Sequence, residues 1–398
     1  MKVNLQQLLD DGYIILREVI PSDQLDQLRA SFEVLVERQK EIWAREQTPS
    51  VWETGGQPRL VHFQNLIDEG TADTVEAWLH ENTLGVSRQL MSVPEQTGVA
   101  GMMLMCSPQK DHGPAHWHRD VHPIDMAPLE ELQMDLLENG PKYLQWNIPL
   151  YDDDVLWVVP GSHRRISTEE ENRQLLENPR IPLPGGIPVE LKAGDGVVYV
   201  NYILHWGSNY STKLRRTLHG GHTIFPYYEN LNFTQFLSPW ARETFEQWSE
   251  NSTAMQDTTE SALRAIINKA DGAYRAAVEM LQPNAGPRAK LALAIYLSKA
   301  AYHIYVLKHP DADTVPPDVR RRANSAHSIT INWGPEFANR FSVEEADTLW
   351  GRFSVLDAKL QAAEEHFVPG FQSGPMRYFF NEQLVDFDVE DFIASWEA

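Results

Sequence analysis

The middle of the chain, residues 96–226, constrains the fold most strongly. Short apolar or alternating runs follow one another there, separated by Gly, Pro, Asp and Asn: VAGMMLMC, KYLQWNIPL, VLWVVPGSH, PVELKAGDGVVYVNYILHW and LRRTLHGGHTIF. Several short strands with turn signals between them are typical of a β-sandwich or barrel. Two longer polar stretches, 123–141 and 164–187, interrupt the pattern, and we expect loops or short helices there, over the mouth of the sheet.

The regions on either side are predicted to contain most of the helices. The first 45 residues have the pattern of a short strand followed by a helix. Two later segments, near 258–282 and 287–308, repeat apolar residues at helical spacing, and a helix cannot bury such a face alone. The sequence therefore predicts an α+β protein in two parts. Residues 1–234 form a β-rich core with N-terminal helices, and residues 235–398 form a helical extension that packs on the core.

Charge and composition narrow the class of partner. The formal net charge is −22 and no basic stripe is visible, which disfavours nucleic acid and anionic membranes. Three consecutive arginines, residues 320–322, are expected to form a solvated surface segment. No apolar run is long enough to span a bilayer, no secretory signal pattern is visible, and the single cysteine, Cys106, cannot form an intramolecular disulfide. We expect a cytoplasmic monomer or homodimer whose partner is a small molecule.

The segment AHWHRD, which ends at Asp120, carries a metal-binding pattern. Alternate side chains of an extended chain share a face, so His118 and Asp120 point the same way. His205, at the end of the strand-like run VVYVNYILHW, is the natural third ligand. Two histidines and one carboxylate on one octahedral face leave three positions open. This arrangement suits an Fe(II) ion that binds a chelating cosubstrate and O₂ together.

Two arginines, Arg215 and Arg216, follow His205 at the spacing expected for a cosubstrate cation. The guanidinium group is planar and binds a carboxylate through two parallel hydrogen bonds, so arginine suits the far carboxylate of 2-oxoglutarate. Together with the three ligands, this arginine pair indicates a non-haem Fe(II), 2-oxoglutarate-dependent dioxygenase.

The chain resembles the phytanoyl-CoA dioxygenase family over roughly residues 8–36 and 96–226. The matching motifs are the opening stretch DDGYIILREVIPSDQLDQLR, the triplet His118-Arg119-Asp120, the turn Pro160-Gly161-Ser162-His163, the segment Ala193-Gly194-Asp195, and His205, Asn209, Ser211 and Arg215. The resemblance implies a double-stranded β-helix (jelly-roll) fold, Fe(II), and 2-oxoglutarate and O₂ as cosubstrates, with ascorbate as reductant in vitro. It also implies that Arg215, not Arg216, holds the 2-oxoglutarate carboxylate. Trp146 and Ser211 would belong to the same cosubstrate pocket.

One segment departs from the family pattern. The family has an Asn-Gly turn before its Pro-Gly-Ser-His motif, whereas residues 152–154 of this chain are three aspartates. Such a run of acids is expected to form a solvated turn rather than a cation site.

Other assignments of the same residues stay open. His116 and His118 could form a cupin-like pair that binds Zn or Mn, although this leaves Arg215 unexplained. We expect His116 to support the ligands or to contact substrate, and His163 to be structural. His219 is expected to be either a buried, hydrogen-bonded histidine or a substrate contact.

Other functions also stay open. The rival from another class is a non-catalytic metal-binding or regulatory protein on the same fold. Halogenation is disfavoured because Asp120 fills the position that chloride would need on the metal. The sequence therefore predicts hydroxylation, or another oxidation, of a small-molecule or natural-product substrate.

Overall fold

Most of the strands lie between residues 98 and 223, where the sequence predicts a β-sandwich. The computed structural model describes residues 1–46, 58–61, 63–207, 212–312, 315–371 and 374–397. Among these residues the strands are β1 (Tyr13–Leu16), β2 (Arg59–Val61), β3 (Gly98–Cys106), β4 (Tyr143–Pro149), β5 (Trp157–Val158), β6 (Ile187–Pro188), β7 (Gly196–Tyr199), β8 (His205–Trp206), β9 (Arg216–Thr223), β10 (Gln361–His366) and β11 (Met376–Tyr378).

Helices precede, interrupt and follow this strand-rich region. In the described part of the chain they are α1 (Leu5–Asp11), α2 (Leu25–Arg45), α3 (Asp73–Glu76), α4 (Leu84–Leu90), α5 (Leu129–Asn139), α6 (Glu169–Glu177), α7 (Pro239–Ile267), α8 (Asp271–Leu281), α9 (Pro287–Lys308), α10 (Pro317–Ala323), α11 (Gly334–Ala338), α12 (Val343–Lys359) and α13 (Val389–Ala394). Both polar stretches that interrupt the strand pattern contain a helix, α5 in the first and α6 in the second, as the sequence predicts. No described helix combines the length and the apolar character needed to cross a membrane.

The larger sheet has six antiparallel strands in the order β1-β7-β4-β9-β3-β2. Strand β9 pairs with β4 in a register that sets His219 opposite Asn147. It pairs with β3 in a register that sets Thr217 opposite Met105. Because side chains directly opposite each other share a face, these two registers gather polar groups on one side of the sheet.

The two faces of this sheet meet different surroundings. Trp146 of β4 and Val198 of β7 enter the main apolar core beneath the helices. Val197 and Tyr199 of β7 enter a smaller apolar cluster together with Val158 of β5. Strand β5 belongs to a three-stranded sheet, in the order β6-β5-β8, which therefore packs over the inner face of the larger sheet. The fold is thus a mixed helix and sheet structure in which two sheets enclose a space between them.

The C-terminal helices share the main apolar core with the outer face of the large sheet. Tyr296 of α9 lies with its ring centroid 6.4 Å from that of Phe225, just after β9. The proposed boundary at residue 234 falls inside a short 3-10 helix, Asn232–Phe236.

The helices of this region differ in part from their predicted limits. Helix α9 spans Pro287–Lys308, as predicted, but the helix expected at 258–282 is two helices. Helix α7 begins earlier, with the Ser238 side chain accepting a hydrogen bond from the Ala241 backbone N–H, and it ends before Lys269. Lys269 has a φ of 56°, which is left-handed and ends a right-handed helix. The hairpin formed by β10 and β11 lies in a region expected to be helical.

Candidate metal centre

His118 and His205 face each other as an isolated antiparallel β-bridge. The backbone N–H of His118 donates to the His205 carbonyl at 2.9 Å, and the N–H of His205 donates to the His118 carbonyl at 3.0 Å. The side chains of such a bridged pair lie on the same face, and the two imidazole centroids are 4.3 Å apart. The bridge therefore holds two ligand candidates side by side although they are far apart in sequence.

Asp120 completes the group from the same segment as His118. Its backbone is fixed by Asn201, whose carbonyl accepts from the Asp120 N–H at 3.0 Å and whose side-chain amide donates to the Asp120 carbonyl at 3.0 Å. One carboxylate oxygen lies 3.4 Å from His118 Nε2 and the other lies 3.5 Å from His205 Nε2. Ligand atoms of the three residues all lie within 4.8 Å of one another.

The imidazoles are oriented for metal binding. His118 Nδ1 donates to the His116 carbonyl at 2.8 Å, and His205 Nδ1 donates to the Ile203 carbonyl at 2.9 Å. These bonds place the proton on Nδ1 and turn the Nε2 lone pair toward Asp120, which is the usual support of a metal-binding histidine. The donor set therefore fits a divalent metal ion.

Arg119, between the two ligands of the H-x-D segment, points the opposite way and anchors the segment. Its Nη1 donates to the carbonyls of Ser162 and Tyr202, both at 2.8 Å. The side chain is 3% exposed, and burial lowers the pKa of Arg119 to about 9. Sequence reasoning missed this role, although strand alternation already places Arg119 on the face away from the ligands.

A cavity of about 160 Å³ opens beside the three candidate ligands. Its wall also includes Arg59, Met105, Gln145, Asn147, Tyr199 and His219. These side chains come from five strands of the large sheet, β2, β3, β4, β7 and β9. The polar groups that the strand registers gather on one face are therefore the wall of this cavity.

His219 is a buried, hydrogen-bonded histidine, the first of its two expected assignments, and it also lies in the cavity wall. A contact with substrate stays a prediction. The Nδ1 of His219 lies 2.6 Å from Asn147 Oδ1, and its Nε2 lies 3.4 Å from the side-chain nitrogen of Gln145. Burial and the positive charge of Arg59 lower the pKa of His219 to about 3. The ring is therefore neutral near pH 7, with Nδ1 donating to Asn147 and Nε2 accepting from Gln145.

Arg215 lies on the face predicted for it, and Arg216 lies on the other. Arg215 Nε donates to Asp153 Oδ2 at 2.7 Å, and Nη1 is 3.7 Å from the sulfur of Met105 in the cavity wall. Arg216 instead pairs with Glu33 of α2 at 2.6 Å on the opposite face. Asp153 is 8% exposed, so the expectation of a solvated turn at residues 152–154 is wrong for this residue.

Trp146 does not line the cavity, and its predicted role must be corrected. Its neighbours Gln145 and Asn147 are in the wall, so Trp146 faces the other side of β4. There its Nε1 donates to Ser87 Oγ of α4 at 2.9 Å. Strand alternation explains the difference, because adjacent residues of a strand point to opposite faces. Ser211, the other residue expected in the cosubstrate pocket, lies outside the described residues.

The remaining histidines have distinct places. His116 is not among the residues whose ligand atoms meet in the described part of the chain, so a His116/His118 metal pair gains no support. His163 is fully buried, and its Nε2 donates to the Leu9 carbonyl at 3.0 Å. Gly12, at a φ of 85°, lies so close that a Cβ there would come within 2.5 Å of His163 Nδ1. These contacts agree with a structural role for His163.

A comparison with protein-family models matches the description "Phytanoyl-CoA dioxygenase (PhyH)" over residues 8–217. The match covers more than half of the chain and includes all three candidate ligands. The chain belongs to the phytanoyl-CoA dioxygenase family. A comparison with curated proteins found no match.

Several solved structures are similar to this family member at low identity. One is SnoN, a non-heme alpha ketoglutarate dependent epimerase from nogalamycin biosynthesis: identity is 16%, 56% of this chain and 80% of SnoN are covered, and the TM-score is 0.38. EctD from S. alaskensis is 14% identical, with 55% and 75% covered and a TM-score of 0.36. HygX from Streptomyces hygroscopicus, solved with iron bound, is 13% identical, with 56% and 87% covered and a TM-score of 0.40.

Residues beyond the family match add a second support to the metal-binding segment. The backbone N–H of Arg119 donates to the Gly370 carbonyl at 3.3 Å. The ring of Phe371, next in the chain, lies 6.2 Å from that of His122. Arg322 of α10 forms an ion pair with Asp125, whose side chain is 1% exposed, so the arginines at 320–322 are not all solvated as expected. This family member therefore uses its C-terminal region to hold both sides of the segment that carries His118 and Asp120.

Proposed function

We propose that the protein is a non-haem Fe(II)/2-oxoglutarate-dependent dioxygenase that oxidises a small molecule, with hydroxylation as the reaction. The observation that carries the proposal is the convergence of His118, Asp120 and His205, with ligand atoms within 4.8 Å of one another. Two neutral imidazoles and one carboxylate on one side of a metal are the usual ligand set of such oxygenases. We also interpret the two packed sheets as the two sides of a double-stranded β-helix.

The roles of the residues follow from this ligand set. His118, Asp120 and His205 would hold the iron, and Arg215 would bind the far carboxylate of 2-oxoglutarate. Fe(II) with 2-oxoglutarate and O₂ supplies the oxidising chemistry, in which one oxygen atom enters the substrate and the other enters succinate, with loss of CO₂. The chain itself positions the reactants and limits access of water, because the wall between the two sheets is largely buried.

His219 fixes two amide side chains of the cavity wall, those of Asn147 and Gln145. Its proton is held on Nδ1 by Asn147, and its Nε2 is directed to Gln145. Both amides therefore have a fixed orientation before any ligand binds. Such fixed polar groups reduce the ordering that binding requires.

Three rival functions fit the arrangement of the site less well. A non-catalytic regulatory protein would need no intact ligand set, whereas all three candidate ligands are present and oriented. A Zn or Mn enzyme built on His116 and His118 would need the His116 ring in the ligand cluster, and it is not there. Asp120 occupies the ligand position that a halogenase requires for chloride, which favours hydroxylation.

The proposal is tested by succinate formation from 2-oxoglutarate with Fe(II), O₂ and ascorbate. The unmodified protein should form succinate, and H118A, D120A and H205A should each reduce the rate to background. H116A is the matched control and should retain most of this turnover. Co(II) titration, followed by its visible absorption, should show loss of the site in the three ligand variants only. A protein that binds metal but forms no succinate would support the regulatory alternative.

A further inference from the structure

Arg59 is a charged residue of the cavity wall that the proposed mechanism does not use. It begins β2, the edge strand of the large sheet, and lies opposite Met105 of β3. Both residues line the same cavity as the candidate ligands. In β2 the central residue, Leu60, is buried and Arg59 is exposed, so the Arg59 side chain stands on the cavity face of the edge strand. A long side chain at this edge can reach a molecule that enters the mouth.

The charges of the wall favour an anion. Among the wall residues that the structure describes, the only acid is Asp120, which belongs to the candidate metal ligands. The other polar members are neutral amides, a tyrosine and histidines. A second arginine, Arg180, donates to the carbonyl of Pro114, the residue before Ala115 of the cavity wall. This positive region lies on a chain whose formal net charge is −22, so it is a local feature and not a reflection of composition.

Arg215 and Arg59 are suited to different carboxylates. The Arg215 charge is matched by Asp153 on its Nε edge, and its side chain is 8% exposed, so it can bind only a group that reaches deep into the fold. Arg59 is on the outer strand of the same sheet, two strands away from β9, and is exposed to the mouth. A cosubstrate whose far carboxylate is held by Arg215 would leave the Arg59 guanidinium for the substrate.

We propose that Arg59 binds a carboxylate of the substrate, and that the substrate class is small organic acids. The inference rests on the proposed oxygenase function. The cavity of about 160 Å³ is small, which favours a small acid over a bulky one. The planar guanidinium can bind a carboxylate through two parallel hydrogen bonds and so fix one end of the substrate while another carbon faces the metal. A carboxylate at Arg59 could also come from 2-oxoglutarate, and the experiment separates the two sources.

The experiment measures binding to the anaerobic complex of the protein with Fe(II) and 2-oxoglutarate. The probes are acetate, butyrate and benzoate, each paired with its neutral amide, and the signal is the change in the absorption band of the Fe(II)–2-oxoglutarate complex. We expect at least one acid to bind about tenfold more tightly than its amide. R59Q should remove this preference while changing the affinity for 2-oxoglutarate less than about twofold. R59K, which keeps the charge but not the planar fork, should give an intermediate preference.

A matched control and three contrary results make the test decisive. R173Q removes an exposed arginine of α6 that pairs with Glu177, and it should leave the acid preference unchanged. Acids that bind no better than their amides would overturn the inference, as would a preference that survives R59Q. A tenfold loss of 2-oxoglutarate affinity in R59Q would assign Arg59 to the cosubstrate instead. If the absorption band does not form in the unmodified protein, the proposed function fails, and not only this inference.

Discussion

Arg215 and Asp153 form a buried ion pair in which Nε of the guanidinium lies 2.7 Å from Oδ2 of the carboxylate. The Thr217 hydroxyl donates to the same oxygen at 2.7 Å, and the backbone N–H of Val155 donates to the other at 2.8 Å. Burial opposes ionisation of Asp153, but Arg215 and these donors hold the pKa of its carboxyl below the ordinary value. The pair therefore fixes the orientation of the arginine that we assign to 2-oxoglutarate.

The first prediction is that R215Q combined with D153N weakens 2-oxoglutarate binding at least about tenfold. Removing only one of the two residues would leave a buried charge without its partner, at a cost of about 3–5 kcal/mol in stability. The double variant removes both charges and so avoids this cost. Metal affinity should change little, because neither residue is a candidate ligand. Titration of the Fe(II) protein with 2-oxoglutarate measures the first effect, and Co(II) titration measures the second.

R216Q is the control for this pair. Arg216 is on the opposite face of β9 and pairs with Glu33, so its loss should lower stability without changing the affinity for 2-oxoglutarate. If R216Q weakens cosubstrate binding and the double variant does not, the assignment of Arg215 is off by one residue.

The second prediction concerns a buried chain of hydrogen bonds through Ser87. Trp146 Nε1 donates to Ser87 Oγ at 2.9 Å, and this hydroxyl lies 2.9 Å from His222 Nδ1. His222 Nε2 donates to the Trp78 carbonyl at 3.1 Å, so Nδ1 accepts from Ser87. S87A leaves a buried donor and a buried acceptor without partners. We expect it to lower the free energy of unfolding by about 2–4 kcal/mol.

Chemical denaturation measures this effect. S261A, at an exposed serine of α7, is the matched control and should change the free energy of unfolding by less than about 0.5 kcal/mol. A loss in S87A no larger than in this control would mean that the hydrogen-bond chain contributes nothing to stability.

The third prediction is a loss of stability in mild acid. Burial lowers the pKa of His163 from an ordinary value of 6.5 to about 4. In the unfolded chain His163 becomes protonated below about pH 6.5, whereas in the folded chain it becomes protonated only below about pH 4. Stability therefore falls as the pH drops through this window. At pH 5 the loss from this one residue is about 2 kcal/mol.

His163→Gln tests the assignment, because an amide keeps a donor for the Leu9 carbonyl but does not titrate. The free energy of unfolding should depend less steeply on pH between 6.5 and 4 in this variant than in the unmodified protein. H366Q, on β10, is the control and should retain the original slope. An unchanged slope in the His163 variant would contradict the prediction.

The fourth prediction is that removing residues 341–398 prevents folding. This segment contributes Leu349, Phe353 and Leu356, all 0% exposed, to the core shared with the other helices. Burial of such side chains is worth roughly 1.5–3 kcal/mol each, comparable in sum to the whole stability of a domain. The truncated chain should be insoluble or lack cooperative unfolding by circular dichroism.

F367A is the control for this structural role, because it changes an exposed aromatic residue of the same segment. Phe367 is 71% exposed, close in sequence to Gly370 beside the metal-binding segment. The variant should fold normally. A soluble truncated protein with unchanged metal affinity would show that the segment is dispensable for the core.

The sequence predicted best what depends on residue type and local spacing. The sandwich pattern, the helix that begins at Pro287 and the convergence of His118, Asp120 and His205 all follow from local periodicity or from ligand chemistry. Trp146 was assigned to the cosubstrate pocket from the family resemblance, and the strand pattern offered no check on this, because β4 is buried on both faces. Such a strand shows no alternation between apolar and polar residues that could set the register.

Pairings between distant residues could not be predicted. Asp153 and Arg215 are 62 residues apart, and Asp125 and Arg322 are 197 apart. Nothing in residues 152–154 marks Asp153 as the buried acid, and nothing in residues 320–322 marks Arg322 as the partner of Asp125, because the pairing is decided by the element that packs against each segment. The end of α7 could not be predicted either. The backbone of Lys269 is left-handed just after this helix, and lysine rarely adopts this conformation.

The bond from Arg119 to Gly370 has a consequence for the newly made chain. A second bond joins the same two regions: the Glu130 carboxylate accepts from the backbone N–H of Gln383, 253 residues later in the chain. Synthesis proceeds at about 5–20 residues per second, so roughly 10–50 s pass between the two segments. During that time the ribosome-bound chain carries both His118 and Asp120 without the partner that covers Arg119. The segment that carries two of the candidate ligands therefore reaches its final support only after the C-terminal residues have been made.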